Sequence, residues 1–375
     1  MEHTFTKNIK TILANRFGES GEVVFQQNQL IQYLNFKTRS ANRGSKSRGS
    51  FANLYAIYVI IEDYLSKNYD KQGDYAQFEG TPYTQLLNRQ RELPFGSKLQ
   101  NHALNNRVNA EYQKFFPTSD IIPILRNLET NRYWINENLL KAKIGKITLN
   151  VAPAIIEIVE DYIKNKQDAF QRFIQTCEDL QSVQVAEPEA VIQFIRTLLA
   201  PNTDARLFEI VSYSILKSHY KDQHIYWGFE LADLKKEYLK LYKTGRTNAN
   251  DGGIDFVMKP LGRFFQVTET LDFKKYFLDI DKIQKYPLTF VIKSESKITD
   301  LIDKIRENAR KAYNIEAIVN NYMNCIEEII NIPTLVQRFE EVANQGYLSS
   351  ILDEIVLQSK VEFNYSDDEN EEESV

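Results

Sequence analysis

The stretch Thr244–Glu269, TGRTNANDGGIDFVMKPLGRFFQVTE, decides how the rest of the chain is read. Two apolar runs, Ile254 to Met258 and Arg263 to Thr268, flank a Pro260-Leu261-Gly262 turn, the grammar of a β-hairpin. Asp255 opens the first strand, and the second carries polar Gln266, Thr268 and Glu269 among bulky apolar neighbours. Residues two apart in a strand share a face, so Gln266 and Thr268 are expected on one side and Phe265, Val267 and Glu269 on the other. Closing the hairpin brings Gln266 and Thr268 toward Asp255. A carboxylate and an amide oxygen so placed suit a hard divalent cation such as Mg2+, which takes one or two protein carboxylates and completes its shell with water and phosphate. Gly252 and Gly253, just ahead of the strand, let backbone or phosphate approach closely.

On the amino-terminal side of this hairpin, Thr203 or Asp204 caps a helix expected to reach about Tyr220, Ile225 to Phe229 reads as a short strand, and Leu231 to Tyr242 reads as a helix. On the other side, a helix from about Asp272 to Tyr286 ends at Pro287 and Leu288 to Ile292 is the most strand-like run of the chain. Helices are expected over 298–313, 315–330 and 333–357. Before Ala200-Pro201-Asn202 the pattern is mostly helical. Phe51, Leu54, Tyr55, Tyr58, Ile61 and Leu65 share one face at 3.6-residue spacing, as do Ile155, Val159, Tyr162 and Ile163, followed by Phe170, Phe173, Ile174 and Cys177. Short helices are expected over 121–128 and 134–140. The reading is therefore a mostly helical region 1–200, an α/β (α+β) core with a helical carboxy-terminal segment over 201–360, and a tail 361–375 whose acidic composition predicts disorder.

A chain of 375 residues is long enough for about two domains, and 43% hydrophobic with 26% charged residues is the composition of a globular protein. No apolar run approaches the roughly 20 residues that cross a bilayer. The amino terminus, Met-Glu-His-Thr-Phe-Thr-Lys, lacks a basic start followed by an apolar stretch, and Cys177 and Cys325 are the only cysteines, so a reduced cytoplasm is expected. Cys177 lies in an apolar stripe with no histidine in a neighbouring turn and reads as a small buried hydrophobe. His3, His102, His219 and His224 have no zinc spacing, and the chain has no phosphate loop, dinucleotide fingerprint or nucleophile elbow.

The net charge is −5, but six acids lie between Asp367 and Glu373, and without them the remainder carries +1. Any basic patch is therefore local. Between Lys37 and Arg48 the run KTRSANRGSKSR carries Lys37, Arg39, Arg43, Lys46 and Arg48 with no acid, interleaved with Ser, Asn and Gly. Such a segment can set cations on phosphates and amides on base edges. Arg246, Thr247, Asn248 and Asn250, just before Asp255, have the same chemistry.

Asp251-Gly252-Gly253-Ile254-Asp255, ten residues, and then Gln266-Val267-Thr268 resembles the active-site hairpin of the PD-(D/E)XK nuclease superfamily, in particular the Mrr-like restriction endonucleases, in which Asp-Gly-Gly-Ile-Asp precedes Gln-x-Lys. Glu209, in the helix ARLFEIVSYSILK, stands where that family often carries a glutamate ahead of its core sheet, and from Asp204 to Ile292 the order helix, strand, strand, helix, strand fits the family core once the extra strand and helix expected before the hairpin are set aside. The resemblance covers about 90 residues. It implies a restriction-endonuclease-like core in which Asp255 and Gln266 ligate Mg2+, Glu209 assists directly or through water, and Asp251 shapes the turn. It also implies hydrolysis of double-stranded DNA to 5′-phosphates by a homodimer. A type II restriction endonuclease with a companion DNA methyltransferase is the specific expectation.

One position departs from the family. Where the resemblance implies a lysine, which orients water and stabilises developing negative charge, the chain has Thr268. Lys274 or Lys275 on the following helix has taken over that role, or metal with Thr268 suffices, or the chain no longer cuts. A repair or mobile-element nuclease with the same core, and a DNA-binding module with a degenerate site, are the alternative readings.

Overall fold

A computed structural model describes residues 2–39, 47–71, 74–97, 99–183, 186–244, 254–269 and 273–363, with backbone alone at 47–50, 273–275, 282 and 363. The chain divides into two compact units, 1–173 and 174–375. The division falls inside one long helix, upstream of the change of pattern near residue 200.

The first unit contains α1 (Thr6–Phe17), α2 (Ser20–Gln27), α3 (Gln29–Thr38), α4 (Ser47–Ser66), β1 (Thr81–Pro82), α5 (Tyr83–Glu92), α6 (Val108–Phe115), β2 (Ile124–Asn127), β3 (Arg132–Ile135), β4 (Lys141–Ile144), β5 (Ile147–Asn150) and most of α7 (Ala152–Val183). Its centre is α4, which is buried all round from Phe51 to Ile61, the signature of a helix enclosed on every side. The helices expected over 121–128 and 134–140 are instead the antiparallel pair β2–β3, followed by a short 3-10 turn over Glu137–Leu140. The Asn127 carboxamide accepts the amides of Glu129 at 2.9 Å and Thr130 at 3.2 Å, and Asn131 turns the chain at φ +52°. That turn chemistry, with Tyr133 and Ile135 buried alternately, overrides runs too short to show a helical period.

The second unit holds α8 (Pro188–Leu198), α9 (Ala205–Tyr220), β6 (His224–Trp227), β7 (Lys235–Tyr238), β8 (Lys240–Lys243), β9 (Phe256–Lys259), β10 (Arg263–Thr268), α10 (Phe273–Lys282), β11 (Leu288–Ile292), α11 (Ile298–Ala312), α12 (Glu316–Asn324), β12 (Ile326–Ile330), α13 (Ile332–Asn344) and α14 (Leu348–Phe363). Asp204 caps α9 by accepting the amides of Arg206 at 2.8 Å and Leu207 at 3.4 Å. Five strands form one mixed sheet in the order β8, β9, β10, β11, β12. The first three are antiparallel neighbours, and β10, β11 and β12 run parallel. Gly262 closes the β9–β10 turn at φ +67°, in the left-handed region glycine adopts most readily.

Three expectations are corrected here. Leu231 to Tyr242 is a 3-10 turn and two strands: its lysines and leucines favour helix in isolation, but pairing with β6 and β9 sets a period of two, burying Leu239 and Leu241. The helix expected over 315–330 stops at Asn324, because Ile326 to Ile330 is drawn into the sheet beside β11. The 333–357 run is two helices, broken at Gly346 with φ +87°. The folded chain is a mixed α/β protein with a largely helical amino-terminal region and carboxy-terminal helices.

Every residue of β11 is buried, as expected for a central strand parallel to one neighbour on each side. Phe290 sits there at zero exposure against Tyr276 of α10, ring centroids 4.6 Å apart. Phe290→Ala should destabilise the chain by about 3–5 kcal/mol, read as a lower midpoint in urea at unchanged slope.

Candidate active site

Four of the expected site residues come to one end of the sheet. β8 and β10 run the same way and β9 runs against them, so the last residues of β8 and β10 lie beside the first of β9. Asp255 is held there by three backbone contacts. Its N–H donates to the Phe265 carbonyl at 2.9 Å, its carbonyl accepts the Thr244 N–H at 2.9 Å, and its carboxylate accepts the Val267 N–H at 2.7 Å. The side chain thus takes the amide next to Gln266.

Gln266 donates from its amide nitrogen to the Val267 carbonyl at 3.3 Å, while its Oε1 is buried with no hydrogen-bond partner. A buried acceptor left unpaired costs about 1–3 kcal/mol. Thr268 follows on the same face, and its hydroxyl hydrogen-bonds the buried Tyr276 hydroxyl of α10. The expected alternation along β10 holds. Phe265 meets Tyr220 of α9, whereas Phe264 packs against Tyr286 on the opposite side, the side that Gln266 and Thr268 share.

Glu209 approaches from α9 and is held by Lys243 of β8, Nζ to Oε1 2.9 Å. Loss of surrounding water, and then the Glu209 carboxylate, push the Asp255 carboxyl well above the usual carboxylate range. The Val267 N–H and the Lys243 ammonium oppose that shift, and Asp279 of α10 adds to it. Sequence reasoning misses Lys243 because the composition of its segment favours a helix. The signal that finds it is the alternation from Lys236 to Lys243, which places Lys243 opposite Phe256, one residue from Asp255. A second buried cation, Lys293, follows β11 and pairs with Glu269 at 2.8 Å, also donating to the Thr203 carbonyl.

Other expected site residues fare differently. Lys37 is the penultimate residue of α3, nearly buried, with its ammonium on Glu111 at 2.7 Å. Its charge is already matched inside the first unit. Arg39 is exposed just past α3. Arg43 and Lys46, and likewise Arg246, Thr247, Asn248, Asn250, Asp251, Gly252 and Gly253, lie outside the described residues, as do the side chains of Arg48, Lys274 and Lys275. Cys177 is buried, and burial chiefly pushes its thiol up to about 12, which makes it inert at neutral pH.

The oxygen set fits a hard cation. The half-buried Glu209 carboxylate opposes ionisation of Asp255, and Gln266 Oε1 is a buried acceptor in need of a donor or a metal. No group of three His, Cys, Asp or Glu side chains gathers among the described residues, so a cation here would draw on two carboxylates, one amide oxygen and water. No helix among those residues is long and apolar enough to cross a membrane. Comparison with known proteins returns no matching family model, no matching curated protein and no matching solved structure.

The raised Asp255 carboxyl has a stability consequence of definite sign. Ionisation is harder in the folded chain than in the unfolded one, so stability is full below the unfolded carboxylate range and falls as pH rises through the folded value. In metal-free buffer Asp255→Asn, which keeps an acceptor for the Val267 N–H, should melt higher than the parent at pH 8. The difference should shrink toward pH 4. A parent that melts as high as the variant at pH 8 would contradict the electrostatics described above.

Proposed function

We propose that this chain is a Mg2+-dependent, sequence-specific double-stranded DNA endonuclease of the type II restriction kind, hydrolysing phosphodiester bonds to leave 5′-phosphates. The observation that carries the reading is the Asp255 carboxylate fixed beside Gln266, whose Oε1 is buried and unpaired, with Glu209 close enough to oppose ionisation of Asp255. It is supported by the succession α9, β9, β10, α10, β11, the helix, strand, strand, helix, strand order that the resemblance implies, here with β6, β7 and β8 inserted between α9 and β9.

In this reading Asp255, Gln266 and Glu209 would hold the metal, which when bound would lower the pKa of a water and offset charge on the phosphoryl oxygens. The chain's own residues supply position and charge. Val267 N–H fixes the direction of the Asp255 carboxylate, and Lys243 keeps Glu209 oriented while contributing positive potential. The Thr268 hydroxyl is engaged with Tyr276, so it does not stand in for the absent lysine. That role falls to Lys243, or to Lys274 or Lys275 at the start of α10. The chain would act in the cytoplasm as a homodimer, with a companion methyltransferase protecting host DNA. A repair or mobile-element nuclease shares the same core, and the engaged Thr268 is the one observation that favours a binding module that no longer cuts.

The test is digestion of unmodified phage DNA with Mg2+. Discrete fragments are expected, and Asp255→Ala should abolish them while leaving folding and DNA binding intact. Full activity in that variant would sink the site. Single-turnover rates of Lys243→Ala, Lys274→Ala and Lys275→Ala at saturating enzyme should fall by about a hundredfold or more for the one that stabilises transition-state charge and little for the others. Equal, near-parental rates in all three would leave metal and bound water as the whole of the chemistry.

For the basic segment, Arg39, Arg43, Lys46 and Arg48 are the proposed partners of DNA phosphates. Converting two of them to Ala should lower the log–log salt dependence of duplex binding by about one unit for each cation removed. An unchanged slope assigns the segment to solvent.

A further inference from the structure

The second unit carries an exposed stripe that neither the fold nor the candidate site uses. From Lys236 to Tyr242 exposure alternates: Lys236, Tyr238, Lys240 and Tyr242 face solvent, whereas Leu239 and Leu241 are buried. In the β6–β7 pair His224 stands opposite Tyr238 and Tyr226 opposite Lys236, so both join that face. Across β8, Lys259 stands opposite Lys240. Tyr226, Tyr238 and Tyr242 are 62%, 48% and 44% exposed, far too open for core residues. The His224 ring lies 5.6 Å from Tyr226 and 5.7 Å from Tyr238. Lys236 sits 5.1 Å from the Tyr238 ring centre and Lys259 5.3 Å from that of Tyr242.

Charge identifies the occupant. The stripe holds three lysines and no carboxylate, and none of Lys236, Lys240 and Lys259 has a carboxylate partner among the described residues. Lysines alone would be explained as protection of β8, which is the free edge of the five-stranded sheet. Three exposed tyrosine rings between them work against such protection. A duplex offers its phosphates outward and keeps its base faces stacked away from a protein surface, whereas an unpaired strand presents both phosphates and flat bases.

We propose that this stripe binds single-stranded DNA, with lysines on separate phosphates and tyrosines stacked on bases. Lys236 and Lys240 are about 13 Å apart at the rise of an extended strand, so they meet separate phosphates. The stripe ends at Tyr242, which stands opposite Val257, two residues from Asp255 and on the same side by alternation, and so leads an unpaired strand toward the candidate active site. Only that last step rests on the nuclease reading, since binding itself needs neither metal nor cleavage.

The test uses the full chain in EDTA, with a fluorescent oligothymidylate of about 20 nucleotides and a duplex of equal length, followed by anisotropy over a salt series. Tyr238→Ala with Tyr242→Ala should weaken oligothymidylate binding about tenfold or more, while Phe at both positions should hold it within about twofold. Lys236→Ala with Lys240→Ala should lower the salt slope by about 1.4, the single-strand value for two phosphates. These side chains are exposed, and thermal melts check that each variant folds. Should the alanine pair fail to fold, the lysine pair decides alone. Unchanged affinity and slope would overturn the proposal, as would weakened duplex binding with oligothymidylate untouched. So would a stripe whose tyrosine variants only dissociate a self-associated chain in sedimentation. Asp255→Ala should bind the oligothymidylate like the parent, so failure of cutting and failure of the stripe are separately visible.

Discussion

The parallel pairing of β10 with β11 is the constraint on which the second unit depends. Parallel neighbours cannot be joined by a tight turn, so the chain must leave the sheet, cross over through α10 and return in the same direction. The crossover covers the face of β10 that carries Gln266 and Thr268, and α9 covers the other side of the sheet, with Tyr220 on Phe265 of β10 and Tyr213 on Phe256 of β9. Since β9 opposes its two neighbours, the ends of β8, β10 and β11 and the start of β9 share one edge. Lys243, Asp255, Gln266, Thr268, Glu269 and Lys293 meet there as a result of strand direction alone. The carboxyl ends of strands in open α/β sheets are the usual place for ligands, for the same geometric reason.

Polarity at that edge is unevenly balanced. Lys293 and Glu269 neutralise one another, and Lys293 also caps the Thr203 carbonyl ahead of α9, which makes this pair a structural tie between the sheet and the helix. Lys243 and Glu209 form a second pair close by. Asp255 is the member left over: the Val267 N–H and the more distant Lys243 ammonium compensate it only in part, and loss of water and Glu209 both disfavour its charge. A carboxylate in such a place, beside an unpaired amide oxygen, makes a setting whose negative potential a bound cation would relieve. Structural ion pairs elsewhere in the unit do not have this character. Glu328, for example, is flanked by Arg263 and Arg338, and those two guanidiniums stand near the Tyr220 ring.

The stripe on β7 and β8 stands in a different relation to the fold. It lies where the five-stranded sheet has a free edge, and pairing with β6 and β9 is what aligns its rings and ammonium groups. In a helix the same residues, spaced two apart, would scatter around the axis.

Sequence by itself determined the β9–β10 hairpin, the strand character of Leu288–Ile292, the start of α9 at a cap on Thr203 or Asp204 and the sharing of one face by Gln266 and Thr268. Each is a local matter of turn chemistry, capping or a period of two, complete within a few residues. Tertiary structure decided what depends on distant partners. Residues 231–242 and 326–330 have helix-compatible composition, and sheet neighbours held them extended. Lys37 reads as one cation of a basic run until Glu111, 74 residues away, is seen beside it. Lys243 acquires meaning only when α9 brings Glu209 within 2.9 Å. A local pattern fixes which way a side chain points, but which charge it meets depends on how non-adjacent elements pack, and one sequence carries no direct record of that.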